Sequence, residues 1–86
     1  MGFLQRMDRH ADLVGSMAET LHVDLAKSMQ YGQISPMDLR NAVLSCMGCE
    51  ADGECQDWLA AHKDEGASDT PGYCRNREML LRLQHA

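Results

Sequence analysis

Cys46, Cys49, Cys55 and Cys74 are the residues of this sequence whose type and spacing can do chemistry. They follow the pattern C-x2-C-x5-C-x18-C, three of them inside the run CMGCEADGEC and the fourth well downstream. Two thiolates separated by two residues reach one centre because the intervening turn points both sulfurs inward. Four thiolates complete a tetrahedral zinc site or the corners of an iron–sulfur cluster. Structural zinc sites typically pair two C-x2–4-C knuckles, and this chain has one. Three close cysteines with a remote fourth is the commoner arrangement for a cluster. The expected cofactor is therefore an iron–sulfur cluster (4Fe–4S), with zinc as the alternative and all four cysteines as metal ligands.

Either centre carries a formal charge of about −2, and burying such a charge is costly without donors or cations. Arg75 and Arg77, just beyond Cys74, are the available cations. Gly48 lets the backbone approach an inorganic sulfide closely, and Trp58, one turn after Cys55, shields the site from water. Arg75, Gly48 and Trp58 are accordingly the expected cofactor-binding residues. The C-x2-C-x5-C portion also resembles the cluster loop of helix-hairpin-helix DNA glycosylases over ten residues. It departs from that pattern because the fourth cysteine lies downstream instead of shortly upstream. The resemblance implies cluster binding, while the acidic surroundings of the cysteines do not suit DNA.

Other uses of the sulfurs remain open. CMGC could act as a redox dithiol, but a thioredoxin-type motif works at a helix start after a strand, and here it falls at a helix end. Disulfides need an oxidising compartment, and free cysteines could simply fill the core. The four histidines show no HxxxH or HxH spacing. His62, two turns after Cys55, is the one that could replace a cysteine ligand. No nucleophile–base pair, phosphate loop or paired-carboxylate motif is present. A metal with four protein ligands keeps no open position, so catalysis is not expected.

Composition narrows the class further. At 86 residues the chain reads as one domain, 1–86, whose hydrophobic core supplies only a few kcal/mol, so a staple would help. Aromatic residues make up only 5%, and seven Met take over part of the core, which suits a plastic helical interior. The net charge is −5, with Glu50, Asp52, Glu54, Asp57, Asp64, Glu65 and Asp69 against the single Lys63 between Cys46 and Cys74. Nucleic-acid binders need a basic face, so no nucleic-acid partner is expected; a protein partner is, with the acidic face or a Met-rich surface available to it. Gln5, Arg6, Asp8 and Arg9 interrupt the apolar run a secretory signal requires. No later stretch approaches a membrane span, and the expected location is cytoplasmic.

The elements that must position the cysteines are helical. Leu4, Met7, Ala11, Val14, Met17, Ala18 and Leu21 recur at three- and four-residue steps and predict a helix from Phe3 to about Leu21. A short helix at 24–31 has Asp24 as N-cap and Gly32 as its stop. Ser35, Pro36 and Asp38 form an N-cap, a first-position proline and a near-capping box, opening a helix that reaches Cys46. Asp52 and Gly53 read as turn formers, Cys55 as the start of a helix through His62, and 63–72 as a polar loop. Tyr73 and Cys74 then open a last helix with Met79, Leu80 and Leu83 inward. The fold class is all-α, a compact bundle of four to five short helices tied by the cysteines.

The whole pattern is similar to a family of small alphaproteobacterial four-cysteine proteins classed as a domain of unknown function. The residues that carry the likeness are Cys46, Cys49, Cys55, Trp58, Leu59, Pro71, Tyr73, Cys74 and Asn76, within LRNAVLSCMGCEADGECQDWLAAH and PGYCRNREMLLRL. The resemblance implies a bacterial, compact helical protein with a four-cysteine site, and no activity. The leading expectation is a small iron–sulfur protein for electron transfer or for sensing redox state or iron. The alternatives are a zinc-stapled protein-interaction module without a redox role, and a C-x2-C dithiol redox protein.

Overall fold

The computed structural model describes residues 2–86, and among them the regular structure is entirely helical. Five helices follow in order: α1 (Phe3–Thr20), α2 (Leu25–Gln30), α3 (Pro36–Met47), α4 (Asp52–Ala61) and α5 (Arg77–Gln84). The all-α fold class is thus observed. The radius of gyration, 12.2 Å, matches the value of about 12 Å expected of a compact chain this long.

Local sequence explains where most helices begin and end. At the start of α3, Ser35 Oγ accepts from the Asp38 N–H at 3.0 Å, and Asp38 Oδ2 accepts from the Ser35 N–H at 2.9 Å. This complete capping box satisfies two helix-end groups, and Pro36 follows at the first helical position, where its missing N–H costs nothing. Asp24 caps α2 by accepting from the Lys27 N–H at 3.0 Å. The chain leaves α1 through a Schellman-type turn in which the Val23 N–H reaches back to the Ala18 carbonyl at 2.8 Å. His22 takes the left-handed position there, φ 63°, a place usually given to glycine.

Two helix starts differ from the sequence reading. Helix α4 begins at Asp52, so Asp52 and Gly53 form its first turn instead of a separate turn before it. The Cys55 N–H already bonds the Ala51 carbonyl at 2.8 Å. Helix α5 begins at Arg77, three residues after Cys74. Pro71 starts a turn closed by the Cys74 N–H on its carbonyl at 3.1 Å. The Asn76 side chain, which could have capped the helix, donates to the Ala42 carbonyl of α3 at 2.9 Å instead. Tyr73 and Cys74 are therefore loop residues.

The core is built on α1. Met17, Ala18 and Leu21 bury against Val23, Ile34, Cys55, Leu80 and Leu83, with Trp58, Leu59, Tyr73, Cys74 and Met79 partly buried around them. Leu13, Val14, Ala42 and Val43 are also buried, as the packing of α1 on α3 requires. Leu21 and Leu80 are the largest fully buried side chains. Burying a leucine is worth about 1.5–3 kcal/mol, so each of these two adds a contribution of that size to the core.

Candidate metal centre

The cysteines arrive at one place by four different routes. Cys46 lies in the last turn of α3, and Cys49 follows in a turn closed by its own N–H on the Cys46 carbonyl at 3.0 Å. Cys55 sits in the first two turns of α4 and is buried, while Cys74 sits in the loop before α5. All four line a single cavity together with Leu13, Val14, Met17, Tyr73, Arg75, Asn76 and Leu80. The cavity leaves about 30 Å³ for the centre of a water-sized sphere. That exceeds the roughly 10–15 Å³ needed to admit one water.

Apolar residues of α1 and α5 close the inner side of this cavity. Leu13, Val14, Met17 and Leu80 are all buried, so a centre held here would face hydrocarbon on one side. The Tyr73 loop is fastened to the cysteines by its backbone, whose carbonyl accepts from the Cys49 thiol at 3.8 Å. The Asn76 bond to α3 fixes the far end of the same loop.

Burial is the main cause pushing the Cys74 thiol pKa up, and the neighbouring Cys49 adds to it. The Asn76 backbone N–H and the Thr70 hydroxyl act in the opposite direction. A metal at this position must displace the Cys74 proton, so loading is favoured as pH rises. Tyr73 is shifted too. Burial raises its pKa first, followed by Cys55, Glu54, Cys49 and Cys74. Its hydroxyl therefore stays protonated at neutral pH, yet it is buried without a hydrogen-bond partner. Leaving a buried hydroxyl unpaired costs about 1–3 kcal/mol.

The expected supporting residues separate. Arg75 is on the cavity wall. Gly48 is next to it: it caps α3 with an ordinary φ of −81°, and a Cβ there would stand 3.1 Å from Arg75 Nη1. The absent side chain makes room for the guanidinium. Arg77 points elsewhere and pairs with Asp69 at 2.8 Å on an exposed surface. Trp58 is not on the cavity wall; it packs against the core and stacks on His62, with ring centroids 4.1 Å apart. His62 Nδ1 contacts the Trp58 carbonyl at 2.8 Å, which places this histidine with the tryptophan and away from the cysteines.

Tyr73, Asn76, Leu80 and the α1 residues Leu13, Val14 and Met17 are the cavity residues that the reading of site chemistry missed. The signal for Tyr73 was its position next to a cysteine in a chain with very few aromatics. The α1 residues carried only a core pattern, because the chain passes them about thirty positions before the first cysteine.

Among the described residues, no group of three or more His, Cys, Asp or Glu is drawn together closely enough to hold one metal ion. The thiols instead surround a space. Four zinc-bound sulfurs, each about 2.3 Å from the ion, would stand about 3.8 Å from one another. A cluster instead takes each cysteine on a different iron and spreads them further apart. The donor set on this cavity is four thiols, with Arg75 and Tyr73 on the same wall.

No helix among the described residues is long and apolar enough to cross a membrane. No curated protein and no solved structure matches the chain. A family model matches residues 1–86 in full, and the chain belongs to that family of unknown function, DUF6455.

Proposed function

We propose that this chain is a small iron–sulfur protein, in which Cys46, Cys49, Cys55 and Cys74 hold a 4Fe–4S centre for electron transfer or for sensing redox state or iron. The observation that carries the reading is the convergence of all four cysteines on one cavity. They come from a helix end, a turn, a second helix and a distant loop, and a shared ligand gives these four routes a common reason to meet. When bound, such a centre accepts and releases single electrons.

The chain's own residues then have separate tasks. The four sulfurs bind. Leu13, Val14, Met17 and Leu80 keep water from the inner side, which sets the local dielectric and with it the potential. Arg75 offsets the negative charge of the thiolates, and Gly48 leaves it room to do so. Asn76 holds the Cys74 loop onto α3. A reducing, cytoplasmic setting in a bacterial cell, and a protein partner that exchanges the electron, complete the proposal.

The test is the visible absorption spectrum of protein purified without oxygen, with iron and zinc measured on the same sample. A broad band near ~400 nm with about four irons per chain is the expected result. Colourless protein with one zinc per chain would replace the cluster by a structural zinc site, and the search would move to binding partners. Protein with neither metal after anaerobic reconstitution would remove the shared-ligand reading altogether.

A further inference from the structure

Tyr73 lines the cysteine cavity, and its hydroxyl is buried and has no hydrogen-bond partner. Buried hydroxyls are nearly always paired, so an orphan needs an explanation. Tyr73 shares that cavity with Cys46, Cys49, Cys55 and Cys74. Neutral thiols are weak acceptors, whereas thiolates and inorganic sulfides carry negative charge and accept well. A hydroxyl that waits unpaired among thiols gains its partner when those thiols become ligands.

We propose that Tyr73 is a positioning residue of the metal centre, whose hydroxyl donates a hydrogen bond to a sulfur of the bound cluster and thereby raises its reduction potential. The proposal rests on the iron–sulfur reading above. Its physical basis is charge: the reduced cluster carries one more negative charge than the oxidised one, so a donor aimed at sulfur stabilises the reduced form more. Its backbone carbonyl accepts from the Cys49 thiol at 3.8 Å, a bond that ends when the thiol gives up its proton to become a ligand.

The other tyrosine makes a clean control. Tyr31 is 72% exposed and has no place at the cavity, so Y31F leaves a single tyrosine to label. Three proteins are compared after anaerobic reconstitution: the Y31F chain, Y31F/Y73F, and Y31F with 3-fluorotyrosine incorporated at Tyr73. Each is measured for iron per chain, helical circular dichroism and midpoint potential. Fluorination keeps the ring and hydroxyl but makes the hydroxyl a stronger acid and donor.

The expected result is equal iron and helix content in all three, a lower potential in Y31F/Y73F and a higher one with 3-fluorotyrosine. Potentials that stay the same with full iron would overturn the role of Tyr73 and leave the cluster in place. A Y31F chain that takes up no iron would overturn both, and the iron measurement identifies that case before any potential is compared. Should Y31F/Y73F fail to take up iron, the fluorotyrosine protein decides, because it retains the hydroxyl: a raised potential supports the proposal and an unmoved one rejects it.

Discussion

The α1–α3 side and the cysteine end of this protein are held by different means. Along α1 and α3, order comes from repeated helix bonds, a complete capping box and buried Leu13, Val14, Ala42 and Val43. From Cys46 to Asn76, only α4 is regular, and the long loop between α4 and α5 depends on a few separate fastenings. Among these are the Ala67 N–H on the Thr20 carbonyl at 2.8 Å, the Cys49 thiol on the Tyr73 carbonyl, the Asn76 bond to Ala42, and the Asp69–Arg77 pair. The first region carries its order in its own repeated bonds. The second gains most from a ligand that ties α3, α4 and the loop together, since closing long loops removes the most freedom from the unfolded chain.

On the proposed iron–sulfur reading, the largest expected effect comes from removing a ligand. Cys74→Ser and Cys49→Ser should each lose the bound metal completely, and to the same degree, although they lie on different segments. Hydrogen exchange should then speed up between residues 62 and 76 while amides in α1 and α3 stay protected. Cys74→Ser with metal retained and wild-type stability would break the comparison, because the loop would then be holding itself. Equal loss of protection in α1 and α3 would break it too, by making the two regions one cooperative unit.

Leu80 belongs to both regions, being fully buried in the core and on the cavity wall. Leu80→Ala should cost about 2–5 kcal/mol in urea denaturation of the metal-loaded protein. Because the void opens beside the cysteines, it should also speed loss of the metal to a chelator. A comparable loss of stability with unchanged metal release would separate the core from the site.

Gly66 is the next step down. Its φ of +73° lies in the left-handed region, and a Cβ there would meet His22 Nε2 at 2.6 Å and the Thr20 carbonyl at 3.0 Å. Gly66→Ala should cost about 1–3 kcal/mol through backbone strain and displacement of the loop from the end of α1. Thermal melting that leaves the variant level with wild type would mean the loop has another way to pack.

The same contrast explains what could be read in advance. Helices α1, α2 and α3 were legible because their signals are local: apolar spacing, Asp24, and the Ser35–Pro36–Asp38 cap all act within one or two turns. The four cysteines were legible as a set from spacing alone, and their meeting at one cavity fits that spacing. The starts of α4 and α5 were not. Asp52 and Gly53 serve equally well as a turn or as a first helical turn, and Asn76 gave up its capping role for a carbonyl 34 positions away. The Arg75 and Arg77 pair divided for a similar reason, since Asp69 offered Arg77 a nearer partner in the loop. Choices settled by contacts between distant segments leave no mark in a short window of sequence.

Asp69 and Arg77 give the smallest effect. Arg77 Nε and Nη2 donate to the two carboxylate oxygens at 3.0 and 2.8 Å, but both residues are about half exposed, where water and salt screen the attraction. The hydrogen-bonded guanidinium is the main reason the Asp69 carboxyl lies below its ordinary value of 3.8. A carboxyl whose folded pKa is depressed adds stability that is present above the unfolded value and lost as pH falls through the folded one. Asp69→Asn should therefore match wild type below that folded value and fall slightly behind it above pH 4, with the gap closing in about 1 M salt. Urea denaturation from pH 2 to pH 7 at low and high salt would measure this. A large gap that survives salt would mean that the pair fixes the loop's shape as a buried contact does, and that the cysteine end needs its ligand less than its sparse fastenings indicate.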